Sequence, residues 1–226
     1  MNKYASLLTV AVTAAFASSA NAALSARDLN SGGDALLTFD SNSGLEWLDV
    51  SYNVGRNSVS ILSDTILASQ SFRYATGTEV LALWHASGAS GPFVYDPAVE
   101  SYAGNFLGAQ LLINLLGCTS DVLGQPCDGV DQNWHFGRYA SAASSSGFNL
   151  GLVDYFGPPD YRAGTGAMLI DIGTIYPTFF DRPDIGNYLV RSAVAEPGTN
   201  IMIIAGALAF GIMRRRFRRH EAQVEK

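Results

Sequence analysis

The sequence predicts an α+β domain followed by a C-terminal transmembrane helix, and three observations carry that prediction. Helical periodicity is concentrated before Gly117. Strand-like alternation broken by glycine and proline lies mostly after it. An uncharged apolar run then leads into a cluster of arginines. At 226 residues the chain has room for one ordinary domain plus targeting segments. The expected divisions are a signal peptide at 1–22, an exported globular domain at 23–193, a terminal signal at 194–219 and a polar tail at 220–226. Within the domain the expectation is about three helices in the first half and antiparallel strands mostly in the second.

The chain opens with one early lysine, Lys3, an apolar stretch from Leu7 to Phe16, and Ala20-Asn21-Ala22. Small residues flanking Asn21 make a signal-peptidase site, so the mature chain is expected to begin at Ala23. The apolar stretch is too short for a comfortable membrane span, which argues against an uncleaved anchor. Residues Ala35–Phe39 and Leu45–Val50 suit two short strands around the turn-rich Asp40–Gly44, with Trp47 as a core aromatic. A helix is expected over Ser58–Ala68, where Val59, Ile61, Leu62, Ile66 and Leu67 recur at helical spacing. Phe72–Ala75 is strand-like. It runs into Thr76-Gly-Thr-Glu79, a capping box in which the threonine and the glutamate satisfy each other's backbone amides. The helix behind it carries Val80, Leu81, Leu83 and Trp84, and Gly88 offers a left-handed stop. A third helix is expected over Ala103–Leu116, capped by Gly117. Strands are expected at Gln132–Tyr139, Phe148–Phe156, Gly166–Ile172 and Asn187–Val194, with Ser141–Gly147 as a loop and no internal repeat.

Charge narrows the function classes. Between Ala23 and Glu196 there are seven basic residues, all arginine, against eighteen acidic ones, a net of −11. A surface this acidic is repelled by phosphate backbones, so nucleic acid is not an expected partner.

Cys118 and Cys127 are the only cysteines. In an exported chain an even count at this spacing reads as one disulfide, and closing a loop of about ten residues is worth roughly 2.5–3 kcal/mol in the chain-entropy model. A metal site built on the two sulfurs would need further ligands nearby. His85 and His135 are the only histidines of the domain. Either could serve a hydrolase with a serine or aspartate, but the chain has no G-x-S-x-G elbow, no H-E-x-x-H and no phosphate-cradling glycine loop. The structural reading is a dipole-compensating histidine at 85 and a strand histidine at 135. Asp121, Asp128 and Asp131 cluster near the cysteines, and Asp28–Asp34 has the spacing of the front half of a calcium loop, with Gly32 at the fifth ligand position and Phe39 at the twelfth. Both suggest Ca²⁺ as a cofactor; solvated loop acids are the competing reading. Trp134, Tyr139, Tyr155, Phe156 and Tyr161 make the second half aromatic. Aromatic faces beside polar groups suit carbohydrate, and the same residues suit strand core.

The end of the chain is the most specific feature. Val194-Ala195-Glu196-Pro197 precedes an uncharged run, Gly198–Met213, of about 24 Å as a helix, slightly short of a roughly 30 Å hydrocarbon core. Arg214, Arg215, Arg216, Arg218 and Arg219 follow, so the positive-inside rule places the domain outside and the arginines in the cytoplasm. This order resembles the PEP-CTERM proteins of Gram-negative bacteria, whose Val-Pro-Glu-Pro motif, short transmembrane helix and arginine-rich end are met here with Ala195 in place of the first proline. The resemblance implies sorting by an exosortase after signal peptidase has acted. It implies an inner-membrane intermediate in contact with membrane lipid, then a place at the cell surface or in the medium, with extracellular polysaccharide of the biofilm matrix as an associated partner. Gly44–Val50, Phe72–Trp84 and Asp184–Arg191 are also similar to segments of PEP-CTERM cargo proteins and of Lcl-type domains, which implies a C-type-lectin-like fold. Arg73-Tyr-Ala-Thr76 stands where those domains have Arg-Leu-Pro-Thr, and no functional residue is carried over. The sequence therefore reads as an exported surface or matrix protein without catalytic residues, with carbohydrate or another protein as the expected ligand of its domain. A secreted hydrolase with an unrecognised active site is the alternative.

Overall fold

The element boundaries follow from local chemistry that the sequence only partly displays. The computed structural model describes residues 23–94, 101–142, 144, 147–172 and 182–193. The signal peptide, Val194–Pro197, the transmembrane run and Arg214–Arg219 lie outside the described residues.

The described chain is mixed α+β, with nine strands in two sheets and four α-helices. The strands are β1 (Leu24–Arg27), β2 (Leu37–Asp40), β3 (Leu45–Leu48), β4 (Arg73–Tyr74), β5 (Gln132–Ala140), β6 (Phe148–Phe156), β7 (Thr165–Leu169), β8 (Ile185–Asn187) and β9 (Leu189–Ser192). The helices are α1 (Ser58–Leu62), α2 (Thr65–Ser69), α3 (Gly77–Ala86) and α4 (Phe106–Leu116). One sheet has the order β1-β2-β3-β9-β4 and the other β7-β6-β5-β8. All pairings are antiparallel except β5 with β8, which is parallel. Tyr188 sits between β8 and β9 and links the two sheets: its amide donates to Arg138 O and its carbonyl accepts from the Ala75 amide. Tyr188 is fully buried, and Gly137 lies so close that an added Cβ would stand 2.5 Å from its ring. No side chain fits at that crossing.

Several expectations are corrected. The single helix over Ser58–Ala68 is two helices, because Asp64 turns its carboxylate back to cap the second. Its Oδ1 accepts from the Ile66 and Leu67 amides at 2.9 and 3.0 Å, and its Oδ2 pairs with Arg56 at 2.8 Å. A cap this complete starts a new helix rather than letting the first continue. Only Ile61 and Leu67 of the predicted apolar face are buried; Val59, Leu62 and Ile66 are exposed. The third helix begins at Phe106, after a 3₁₀ turn at Ala103–Asn105, because buried Asn105 is committed to Gly91 N and Pro92 O. The first half supplies the three strands expected at β2, β3 and β4 and one more, β1, which has no alternation by which to recognise it. The segment read as Asn187–Val194 divides into β8 and β9, which belong to different sheets.

Other expectations hold. Glu79 N donates to Thr76 Oγ1 at 3.3 Å and Thr76 N to Glu79 Oε2 at 2.8 Å, closing the capping box. The Arg73 guanidinium pairs with both Glu79 oxygens and holds that carboxyl down at about 2. Gly88 and Gly117 take positive φ at the ends of α3 and α4. Helix α4 spans the gap between the sheets: Leu116 O accepts from the Val50 amide and Leu115 O from Thr38 Oγ1. The main core gathers Trp47, Trp84, Leu112, Leu116, Tyr139, Val153 and Tyr188.

Candidate functional site

Strand alternation splits the four-stranded sheet into two unlike faces. His135, Tyr139, Val153, Tyr155 and Met168 face the main core or its polar lining. Trp134, Phe136, Leu150, Leu152, Phe156, Ala167, Leu169 and Ile185 form a second apolar cluster. Asp154 stands on the strand position between Leu152 and Phe156 and is paired in register with Trp134. An acid on that face is out of place, and its surroundings explain little of it.

Asp154 is 2% exposed. Its Oδ2 accepts from Gln132 Nε2 at 2.5 Å, while its Oδ1 is buried and accepts no hydrogen bond from the protein. Burial drives its carboxyl well above the ordinary carboxylate range, and the Gln132 amide and Arg162 only partly oppose this. Asp154, Gln132, Trp134, Phe136, Leu152 and Arg182 line a cavity of about 180 Å³. Gln132 and Arg182 keep partial exposure at its edge. Arg182 is held by Asp184 through two bonds of 2.9 and 2.7 Å, lies 4.6 Å over the Phe136 ring, and shares Asp184 with the indole N–H of Trp134 at 2.8 Å. Aromatic and aliphatic walls with the polar ends of Gln132 and Arg182 at the edge are the elements of a small-molecule site, while Asp154 Oδ1 itself is closed off from solvent.

The residues singled out from the sequence fall elsewhere, with Trp134 as the exception. His135 is fully buried, with Nδ1 on Gly117 O and Nε2 on Tyr188 OH, both at 3.0 Å. Burial lowers its pKa to about 4, so it is neutral and both ring nitrogens are engaged in holding β5 to α4 and Tyr188. His85 is exposed at the end of α3, edge-on to Phe93. Tyr139, Tyr155 and Phe156 are core, and Tyr161 is 88% exposed. Cys118 and Cys127 lie at disulfide distance, 2.17 Å between sulfurs and 6.0 Å between Cα atoms. Asp121, Asp128 and Asp131 are exposed, and the described residues contain no group of three acidic, histidine or cysteine residues placed to hold a metal. Asp34 accepts the Leu29, Asn30, Ser31 and Leu36 amides, which drive its carboxyl far below the usual range. Asp28 accepts the Ala35 amide, so that loop satisfies its own acids.

No family model, curated protein or solved structure matches the chain. The reading of the site therefore rests on its own residues. Gln132, Phe136, Leu152, Asp154 and Arg182 were not apparent from the sequence. The one available signal was Asp154, a single acid inside the apolar nine-residue run Phe148–Phe156.

Proposed function

We propose that this chain is an exported, surface- or matrix-associated protein, sorted through its C-terminus, whose globular domain binds a ligand rather than catalysing a reaction. The observation that supports the binding role is the cavity of about 180 Å³ lined by Trp134, Phe136, Leu152, Gln132, Asp154 and Arg182. The order Val194–Pro197, apolar run, arginine stop supports the sorting half, with signal peptidase and an exosortase as processing partners and the transmembrane run as a transient anchor in lipid. A C-type-lectin-like arrangement accords with the mixed α+β architecture and remains part of the proposal.

Fractionation of native cells with sequencing of both protein ends tests it. The expected product begins at Ala23 and lacks Arg214–Arg219, and the loss depends on Glu196 and Pro197. A full-length C-terminus retained in the inner membrane would contradict sorting.

A further inference from the structure

We propose that the outer face of α1 and α2 pairs with the same face of a second copy of this chain, the exposed aliphatic side chains of each copy closing an apolar cavity on the other. The contact goes beyond the ligand-binding reading and does not depend on it.

The face has an apolar surplus that folding does not explain. Ile61 and Leu67 turn inward and hold the two helices to the five-stranded sheet. Val59, Leu62 and Ile66 are left 74%, 67% and 67% exposed. Beside them lies a cavity of about 60 Å³ walled by Ile61, Leu62, Leu67, Phe72, Tyr74 and Leu189. It is less than half the about 150 Å³ that encloses one benzene, so it admits the end of one aliphatic side chain and no ring. A two-fold contact needs one patch that carries both a projection and a recess, and this patch does. Charge selects the same occupant. The domain carries a net of −11 between Ala23 and Glu196, so two copies repel each other over most of their surface. Between Asn57 and Ser71 the only charged residue is Asp64, and Arg56 pairs with it at 2.8 Å. Copies can therefore meet here without bringing unpaired acids together. A bilayer surface gains less, because the neighbouring cations, Arg56 and Arg73, are held by Asp64 and Glu79. Area sets the strength. Three aliphatic side chains offer less than the roughly 800 Å² that each partner buries in a standard stable interface, so the pair is weak and reversible.

Sedimentation velocity on the full-length protein in neutral detergent tests the pairing, over about 10 μM to about 1 mM, where interfaces below standard size associate. Leu62→Asp puts a carboxylate into the contact, and Leu107→Asp makes the same charge change on α4, where Leu107 is 74% exposed. Wild type and Leu107→Asp are expected to form a dimer that saturates at two copies, weakened about tenfold or more in Leu62→Asp. Added NaCl is expected to tighten the dimer by screening the net negative charge. Circular dichroism and thermal melting check that Leu62→Asp folds; if it does not, Ile66→Asp takes its place. The apolar run Gly198–Met213 is common to all variants, so association through it would be unaffected by Leu62→Asp. Equal dimers in the wild type and the folded Leu62→Asp variant would overturn the proposal. So would a monomer at every concentration, growth beyond two copies, or a loss in Leu107→Asp as large as that in Leu62→Asp.

Discussion

The two sheets each bury an acid, and they treat it differently. In the five-stranded sheet Glu46 on β3 is 4% exposed and meets two arginines, Arg27 at 3.0 Å and Arg191 at 2.8 Å. Arg191 stands directly opposite it on β9, so register alone brings the pair together. In the four-stranded sheet Asp154 is as deeply buried but opposite Trp134, with one amide on one oxygen. Equal burial with unequal satisfaction is what separates the two acids. A buried charge is stable where partners meet it, and Glu46 is stapled accordingly. Asp154 is tolerated at a cost that protein contacts do not offset.

The largest expected effect breaks the satisfied acid. Arg191→Ala should destabilise the fold by about 3 kcal/mol in chemical denaturation, because it leaves a buried carboxylate with a single arginine and removes the packing on Phe72. A loss below about 1 kcal/mol would show that Glu46 is solvated despite its burial.

A second buried group sets the acid limb of stability. His135 falls from an ordinary 6.5 to about 4 on folding, so the unfolded chain takes up its proton first as pH drops. Its contribution is full above about 6.5 and is lost as pH falls toward about 4, a change of about 3 kcal/mol. His135→Asn should remove that limb in melts recorded against pH, while lowering stability near neutrality.

Asp154 has the opposite sign. Its folded value is raised, so its contribution is complete below the unfolded aspartate value of about 3.9 and is lost as pH rises through the folded value. Asp154→Leu should therefore flatten the profile between about 3.9 and the folded value and stabilise the protein by about 1–2 kcal/mol at neutral pH. Destabilisation instead would assign Asp154 to the same structural class as Glu46. The smallest effect is a control beside neither acid: Thr76→Ala should cost about 1 kcal/mol through the capping box of α3 and leave both pH limbs in place.

What could be read from the sequence is what depends on neighbours along the chain. The Thr76–Glu79 box, the strands of the β5–β6 hairpin, the glycine stops at 88 and 117 and the Cys118–Cys127 pairing are local patterns with local causes. Asp64 misled the reading because a polar residue inside a helical period can sit on the solvated face or end the helix, and only its two amide contacts decide between them. The parallel pairing of β8 with β5 is non-local and leaves no periodic trace. The pocket was hidden for the same reason. Trp134 was visible as an aromatic, but its cavity exists only when hairpin register places Asp154 opposite and β8 brings Arg182 and Asp184 to the same face.

The most direct measurement is the titration of the Asp154 side-chain carboxyl by carbon-13 NMR. The account predicts a midpoint well above the ordinary carboxylate range, because burial opposes the charge and only the Gln132 amide meets it. A midpoint near 4 would mean that Asp154 is already satisfied, and would contradict the distinction drawn between the two acids.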